Sequence, residues 1–112
     1  MSNSQTEAET VVVSNTTTAL KPPTLWNVVF FNDKKTHYEF VVLVLMHLFN
    51  KDYDQATEIT SYIHDKGRAV VATYTHEIAA SKRDETVSTA RANGHPLRVE
   101  IEPASDSDGG DS

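Results

Sequence analysis

The chain has 112 residues, of which 38% are hydrophobic, and a formal net charge of −6. This length is enough for one small domain, because domains typically need roughly 100–150 residues. Much of the negative charge lies in the two ends of the chain, so residues 21–102 are nearly neutral. Without a basic surface to neutralise phosphates, nucleic acid is excluded as an expected partner.

The absence of cysteine excludes disulfides and thiolate metal sites, and it fits a reducing cytosol. The longest apolar run, Phe40–Met46, is far shorter than the roughly 20 residues that a membrane-spanning helix needs. No basic segment followed by an apolar one stands at the N-terminus, so no secretory signal is predicted. The sequence therefore predicts a soluble, cytoplasmic protein without a membrane partner.

Composition divides the chain into three parts. Residues 1–20 are rich in Ser, Thr, Asn and Glu, and residues 103–112 consist mainly of Ser, Asp and Gly. Such segments cannot bury enough apolar surface to offset the entropy of ordering them. We therefore expect a flexible N-terminal extension over 1–20, a folded domain over 21–102 and a disordered acidic tail over 103–112.

The first half of the folded domain is predicted to contain one strand and two helices. Residues 26–31 are β-branched and aromatic, which favours a strand. Over residues 37–50 the apolar side chains recur at helical spacing, and the length of the segment favours a helix over a buried strand. Asp52 and Gln55 form a capping box at the start of a second helix, and Gly67 is placed to end it in a left-handed conformation.

The second half is predicted to contain two strands joined by a helix. Residues 68–74 are predicted to form a strand, after which Thr75 can cap a helix with Glu77 in its first turn. That helix ends near Asn93, and the apolar and charged residues of 97–102 alternate as in a half-buried strand. The order β-α-α-β-α-β predicts an α/β or α+β sandwich in which helices cover one face of the sheet and the other face is exposed.

A polar cluster at two predicted element ends suggests a binding site. Asn32 and Asp33 follow the first strand, Thr36 lies nearby, and His64 lies near the end of the second helix. An amide oxygen, a carboxylate and a neutral imidazole together suit a primary ammonium, which offers three donors and one positive charge. From spacing alone, however, the favoured interpretation is an ordinary Asn-Asp turn and a histidine placed favourably at a helix C-terminus.

Motifs for catalysis or metal binding are not found. The five histidines are scattered without a metal-binding pair on a helix. The chain has no G-x-S-x-G elbow and no cysteine nucleophile, and its four glycines form no phosphate-binding loop. We therefore expect no metal, no cofactor and no enzymatic activity.

A series of short segments resembles one known family. The segments are LKPPTLWNVVFFND at 20–33, EFVVLVL at 39–45, ATEI at 56–59, IH at 63–64, KGRAV at 66–70 and HPL at 95–97. In this order and spacing they resemble the ClpS family, the adaptors of ATP-dependent Clp proteases, over residues 20–102. The resemblance implies a small α/β domain in which a three-stranded antiparallel sheet packs with helices.

The resemblance also implies a function. ClpS-like adaptors catalyse nothing; they bind N-terminal degrons, consisting of a free α-amino group and a bulky apolar first side chain such as Phe, Tyr, Trp or Leu. They deliver these substrates to the N-terminal domain of a ClpA- or ClpC-type AAA+ unfoldase, and the N-terminal extension is thought to engage the unfoldase during delivery. By this resemblance we expect a monomeric adaptor.

Residue by residue, the resemblance implies three groups of functional positions. The α-amino contacts fall on Asn32, Asp33 and His64. The pocket for the degron side chain falls on Thr36, Tyr38, Val41, Thr60, Ile63 and Leu97. The surface used against the unfoldase falls on Glu77 and Lys82, which without the resemblance would be interpreted as a solvated helix face.

Three departures from the family pattern concern the pocket. Lys34 replaces a second acid, and with Lys35 it puts positive charge beside an ammonium site, which predicts a modest loss of affinity that is strongest at low salt. Tyr38 replaces a methionine gate that rejects β-branched first residues, and its hydroxyl needs a partner if buried. Thr60 replaces another methionine and predicts a smaller, more polar wall. We expect a changed ranking of Phe, Tyr, Trp and Leu.

An alternative function belongs to a different class. A regulator or decoy that docks on the unfoldase without delivering degrons would keep Glu77 and Lys82 while tolerating an altered pocket mouth. The retained Asn32, Asp33 and His64 argue against this alternative, because a decoy has no need of an ammonium site.

Overall fold

The structure, a computed structural model, describes residues 24–104. The elements are β1 (Leu25–Phe31), α1 (Tyr38–Leu48), α2 (Tyr53–Lys66), β2 (Arg68–Thr75), α3 (His76–Ala92) and β3 (Arg98–Pro103). This order confirms the predicted β-α-α-β-α-β arrangement. The expected N-terminal extension and most of the acidic tail lie outside the described residues. None of the described helices is long and apolar enough to cross a bilayer.

The three strands form one antiparallel sheet in the order β2-β1-β3, as the resemblance implied. β1 is the central strand, and its residues Val28, Val29 and Phe30 are all buried. A strand covered on both faces tends to be apolar without alternation, which explains the continuous apolar run that follows Asn27. β3 extends to Pro103, and the Ala104 N–H donates to the Leu25 carbonyl at 2.8 Å, so the fold continues past residue 102.

The predicted caps of α2 are both present. The Gln55 N–H donates to the Asp52 carboxylate at 2.7 Å, and the Gln55 side chain accepts from the Asp52 N–H at 3.2 Å. Gly67 has a φ of 98°, and its N–H donates to the Ile63 carbonyl. Thr75 occupies the N-cap position of α3 as predicted, but its side chain makes no capping hydrogen bond within the described residues.

The core lies between the sheet and the helices. Val28 and Phe30 of β1 are completely buried there, and the Phe30 ring meets Phe49 edge-on with centroids 5.5 Å apart. α1 ends at Leu48, two residues earlier than predicted, and Asn50 takes a φ of 57°. The left-handed residue redirects the chain toward the α2 cap, which the apolar periodicity of the sequence could not indicate.

The opposite face of the sheet is more covered than predicted. Val29, whose side chain lies on that face by strand alternation, is only 1% exposed. Arg68 on one edge strand reaches both carboxylate oxygens of Glu102 on the other edge strand at 2.9 Å. Arg98 lies 4.1 Å from the centroid of the Phe31 ring. Long charged side chains therefore shield the apolar centre of the face, since their aliphatic parts cover apolar surface.

Candidate functional site

A small cavity, the β1–α2 cavity, forms where the end of β1 meets α1 and the second half of α2. Its volume is about 240 Å³, below the roughly 300–1,000 Å³ typical of drug-sized ligand sites. The lining residues are Phe31, Asn32, Asp33, Lys34, Thr36, Tyr38, Val41, Thr60, Ile63, His64 and Leu97. The cavity therefore has the size for one amino-acid side chain rather than for a larger metabolite.

All nine residues that we assigned to the α-amino and side-chain positions from the sequence line this cavity. Helical geometry explains part of this convergence, because Thr60, Ile63 and His64 are spaced i, i+3, i+4 and share one face of α2. Tyr38 and Val41 share a face of α1 in the same way. The convergence concerns the positions of these residues and not their roles.

Asn32, Asp33 and His64, here called the polar trio, come together through one backbone contact. The Asn32 N–H donates to the Gly67 carbonyl at 2.8 Å, which ties the residue after β1 to the C-terminal cap of α2. His64 lies in the last turn of α2, so this bond brings its imidazole to the side of the cavity where Asn32 lies. Asn32 and His64 are both exposed, and Asp33 is half-buried.

The turn after β1 holds the Asp33 carboxylate in a fixed orientation. One carboxylate oxygen accepts from the Lys35 N–H at 3.0 Å, and the other accepts from the Thr36 hydroxyl at 3.2 Å. An ionised carboxylate offers about four acceptor sites, so each oxygen keeps capacity for a further donor. Thr36 thus positions the Asp33 carboxylate. The resemblance implied only that Thr36 lines the side-chain pocket.

The interior of the cavity is apolar. Val41, Ile63 and Leu97 are buried there and also belong to the hydrophobic core. Thr60 is buried, and its hydroxyl donates to the Ala56 carbonyl at 2.7 Å. Thr60 makes the wall smaller than a methionine would. Because its hydroxyl proton is bonded within α2, only the acceptor capacity of the hydroxyl oxygen can contribute polarity at this position.

Tyr38 forms the rim of the cavity on the α1 side. Its ring is half-exposed, and its hydroxyl lies 3.1 Å from the Thr57 carbonyl and 2.7 Å from the Ser61 hydroxyl. These two contacts supply the partner that a tyrosine hydroxyl needs. They also tie the first residue of α1 to α2, so the ring stands as a fixed wall.

Phe31 and Lys34 line the cavity but were not among our predicted site residues. Strand alternation offers a signal for Phe31, because it points to the opposite side of β1 from the core residue Phe30. Lys34 directly follows Asp33 and is exposed, so it adds a positively charged residue next to Asp33.

Glu77 and Lys82 lie on α3 and do not line the cavity. Glu77 is exposed in the first turn of the helix, in agreement with the expected solvated face. Lys82 differs from that expectation, because its ammonium donates to the Leu48 carbonyl at 2.7 Å and lies 5.8 Å from the Phe49 ring centroid. Lys82 therefore caps the C-terminus of α1 and joins α3 to it.

Across residues 24–104, no group of three or more His, Asp or Glu side chains is placed to hold a metal ion. The polar trio contains one carboxylate, one amide and one imidazole, a set that can accept hydrogen bonds from a cationic donor. The arrangement is therefore that of a binding site with acceptors at its mouth and apolar side chains inside.

Comparisons with known proteins agree with this architecture. Residues 21–100 match the family described as ATP-dependent Clp protease adaptor protein ClpS. The chain is 44% identical over 85 residues to the ATP-dependent Clp protease adapter protein ClpS of Paraburkholderia xenovorans, covering 76% of this chain and 82% of the relative. The ClpS of Burkholderia cenocepacia is 45% identical over 85 residues, with the same coverage of both chains.

One solved structure resembles the chain throughout the folded part. Agrobacterium tumefaciens ClpS2 bound to L-phenylalaninamide is 32% identical, with a TM-score of 0.72, covering 74% of this chain and 100% of that chain. The family match spans most of the folded domain, and the relatives are similar over most of their own length. The family is one of adaptors rather than enzymes. The chain belongs to the ClpS family of adaptor proteins of the ATP-dependent Clp protease.

Proposed function

We propose that this chain is a monomeric, cytoplasmic adaptor that binds N-terminal degrons and delivers them to a ClpA- or ClpC-type AAA+ unfoldase. The observation that carries the proposal is the β1–α2 cavity, in which hydrogen-bond acceptors surround the mouth and apolar side chains form the interior. A free N-terminal residue has the complementary chemistry, with a cationic amine next to a single side chain.

The polar trio binds the α-amino group in this proposal. Asp33 supplies the negative charge, and the amide oxygen of Asn32 and the neutral imidazole of His64 supply two further acceptors. The hydrogen bonds that fix the Asp33 carboxylate reduce the rearrangement needed on binding, so more of the interaction energy appears as affinity.

The apolar interior takes the first side chain of the substrate. Val41, Ile63 and Leu97 remove apolar surface from water, which is worth about 1.5–3 kcal/mol for a large side chain that becomes fully buried. The solved ClpS2 structure supports this assignment, since its ligand, L-phenylalaninamide, has a free amine and a bulky apolar side chain. Small first residues such as Ala are expected to bind weakly for the same reason.

Fluorescence-anisotropy titrations with peptides beginning Phe, Leu, Tyr, Trp, Ile and Ala test the proposal, with an N-acetylated Phe peptide as the control. Bulky free N-termini should bind, and acetylation should abolish binding. Asp33→Asn should weaken binding by about 10- to 150-fold, from the roughly 1.5–3 kcal/mol of a charge-assisted hydrogen bond. The matched control is Asp84→Asn on α3, where the aspartate is exposed outside the cavity.

If Phe and acetyl-Phe peptides bind equally, or if Asp33→Asn has no more effect than Asp84→Asn, the proposed α-amino site is wrong. No binding to any free N-terminus, with retained binding to the unfoldase, would favour the docking regulator instead. Degradation of a Phe-initiated reporter by the unfoldase and its protease then distinguishes delivery from inhibition. Glu77→Ala is the cleaner docking variant, because Lys82 also caps α1.

The role of His64 as an acceptor predicts how substitutions at this position act. His64→Ala removes the acceptor and should weaken binding to a free N-terminus, whereas His64→Gln keeps an acceptor and should weaken it less. Equal affinities of His64→Ala and the original protein would contradict the role of His64.

Tyr38 and Thr60 are proposed to set the ranking of first residues. The fixed ring of Tyr38 bounds the cavity on the α1 side, and Thr60 leaves space that a longer side chain would fill. Tyr38→Met and Thr60→Met should therefore change the order in which Phe, Tyr, Trp and Leu peptides bind. The same order in both variants and the original protein would show that these residues do not determine specificity.

A further inference from the structure

A second apolar depression, the α1 groove, lies beside the β1–α2 cavity and has a volume of about 470 Å³. Its lining residues are Tyr38, Glu39, Val42, Leu43, Met46 and Tyr53. Tyr38 is 45% exposed, Leu43 51% and Tyr53 63%. Single exposed apolar side chains are common on protein surfaces, but a contiguous group of them is typical of a binding surface.

Leu43 is not explained by the packing of the fold. The core-facing side of α1 contains the four buried residues Val41, Val42, Val44 and Leu45, of which Val42 also lines the groove. Leu43 lies on the other side of the helix, half-exposed and in the groove. A helix with apolar residues on two sides is expected to have both sides buried against other parts of a protein. Within the described residues only the core side of α1 is buried, and Leu43 remains half-exposed.

Tyr38 belongs to both the cavity and the groove. Because Tyr38 lines both, the cavity and the groove are separated by this single aromatic side chain. The contacts of its hydroxyl with Thr57 and Ser61 hold the ring in place. A peptide whose first side chain fills the cavity can leave past Tyr38 directly onto the groove. In an extended peptide, residues one and three point to the same side at a separation of about 7 Å, which is about the span of one aromatic ring with its contacts.

We infer that the α1 groove binds an apolar side chain at the third residue of the substrate, so that the chain recognises more than the first residue of a degron. This inference rests on the proposed function of the β1–α2 cavity. The one charged residue that lines the groove is Glu39, which disfavours an acidic third residue. The expected order at position three is therefore Leu, then Ser, then Asp.

Anisotropy titrations of the full chain with labelled peptides beginning Phe-Ala-Leu, Phe-Ala-Ser and Phe-Ala-Asp test this inference. The Leu peptide should bind about three- to tenfold more tightly than the Ser peptide, because an open groove removes only part of the leucine side chain from water. Leu43→Ser should remove this preference. Ile78→Ser is the matched control, since Ile78 is 49% exposed but lies on α3 outside the groove, and it should keep the preference.

Each alternative outcome is distinguishable. Equal affinities for the Leu and Ser peptides, with binding still abolished by N-acetylation, would overturn the groove and leave the cavity intact. Loss of acetylation-sensitive binding altogether would overturn the cavity and with it the groove. Tighter binding of a further peptide beginning Phe-Leu-Ala than of the Phe-Ala-Leu peptide would overturn the extended register. Sedimentation that shows a dimer dissociated by Leu43→Ser, without a change in peptide preference, would assign the groove to self-association.

Discussion

The charge of Lys34 offers a direct test of how the cavity mouth works. Lys34 lines the β1–α2 cavity, whereas its neighbour Lys35 is also exposed but does not line it. Both side chains are long and positive, and both can be replaced by glutamine at nearly constant length. Lys34→Gln should increase the affinity for peptides with a free N-terminus, because it removes a like charge beside the bound ammonium. Lys35→Gln should change that affinity less.

The width of the cavity gives the charge separation from which we calculate the repulsion between Lys34 and the bound ammonium. A sphere of about 240 Å³ is roughly 8 Å across, and two like charges at that separation in water repel by about 0.5 kcal/mol. The Debye length is about 30 Å at 0.01 M salt and about 3 Å at 1 M. The repulsion therefore remains largely unscreened at low salt and disappears at high salt. We expect Lys34→Gln to bind about twofold more tightly at 0.01 M salt and equally at 1 M.

The assay is an anisotropy titration of a Phe-initiated peptide at both salt concentrations, with the original protein and both variants measured side by side. Equal affinities at low salt would refute the electrostatic reasoning and place the Lys34 ammonium away from the bound amine. A gain that persists at 1 M salt would also refute it, since an effect of shape or hydration does not follow the Debye length.

Three further predictions concern stability. Lys82→Met should lower the free energy of unfolding by about 1–2 kcal/mol in urea denaturation, because it removes the charged donor that caps α1. Gly67→Ala should cost about 1 kcal/mol, because an alanine at its φ of 98° is strained even though a Cβ meets no atom within 4 Å. Burial raises the pKa of the Tyr74 hydroxyl above its usual 10.0. The stabilisation that comes from burying the neutral Tyr74 hydroxyl is fully present below pH 10.0 and is lost as the pH rises through the raised pKa of the folded protein. Tyr74→Phe should therefore reduce the loss of stability at alkaline pH.

Each of these predictions has a matched control. Lys66→Met removes an exposed lysine whose ammonium lies 3.9 Å from Asp65, and equal losses for the two lysine variants would contradict the capping role. Gly67→Asn should destabilise less than Gly67→Ala, because asparagine tolerates the left-handed region better. Tyr62 is exposed, so Tyr62→Phe should leave the alkaline loss of stability unchanged; an equal effect of both tyrosine variants would exclude burial as its cause.

The order of the elements could be predicted from the sequence because its signals are local. Helical spacing in α1, the capping box of Asp52 and Gln55, and the left-handed Gly67 all depend on residues within a few positions of one another. Element ends were predicted less accurately where a contact with a distant part of the chain replaces a contact between neighbouring residues. Thr75, for example, pairs with Leu25 of β1, and its side chain makes no cap for α3 within the described residues.

Assigning the site from the residue pattern alone left two interpretations open, and resemblance to a family favoured one of them. Asn32 and His64 are far apart in sequence, and no periodicity predicts that the Asn32 N–H meets the Gly67 carbonyl. Phe31 was assigned only to a strand, although it also lines the cavity. The hydroxyl of Thr60 suggested a polar wall, but its bond to Ala56 became apparent only in the folded helix.

By itself the sequence determined the six elements, the caps of α2, the apolar positions of the core and, through its resemblance, the family. Tertiary structure decided which element ends meet, and with them the β1–α2 cavity, the capping of α1 by Lys82 and the position of the α1 groove. The physical reason is that propensities and caps act over a few residues. A cavity, in contrast, is the space left when distant elements pack, and its shape depends on every contact between them.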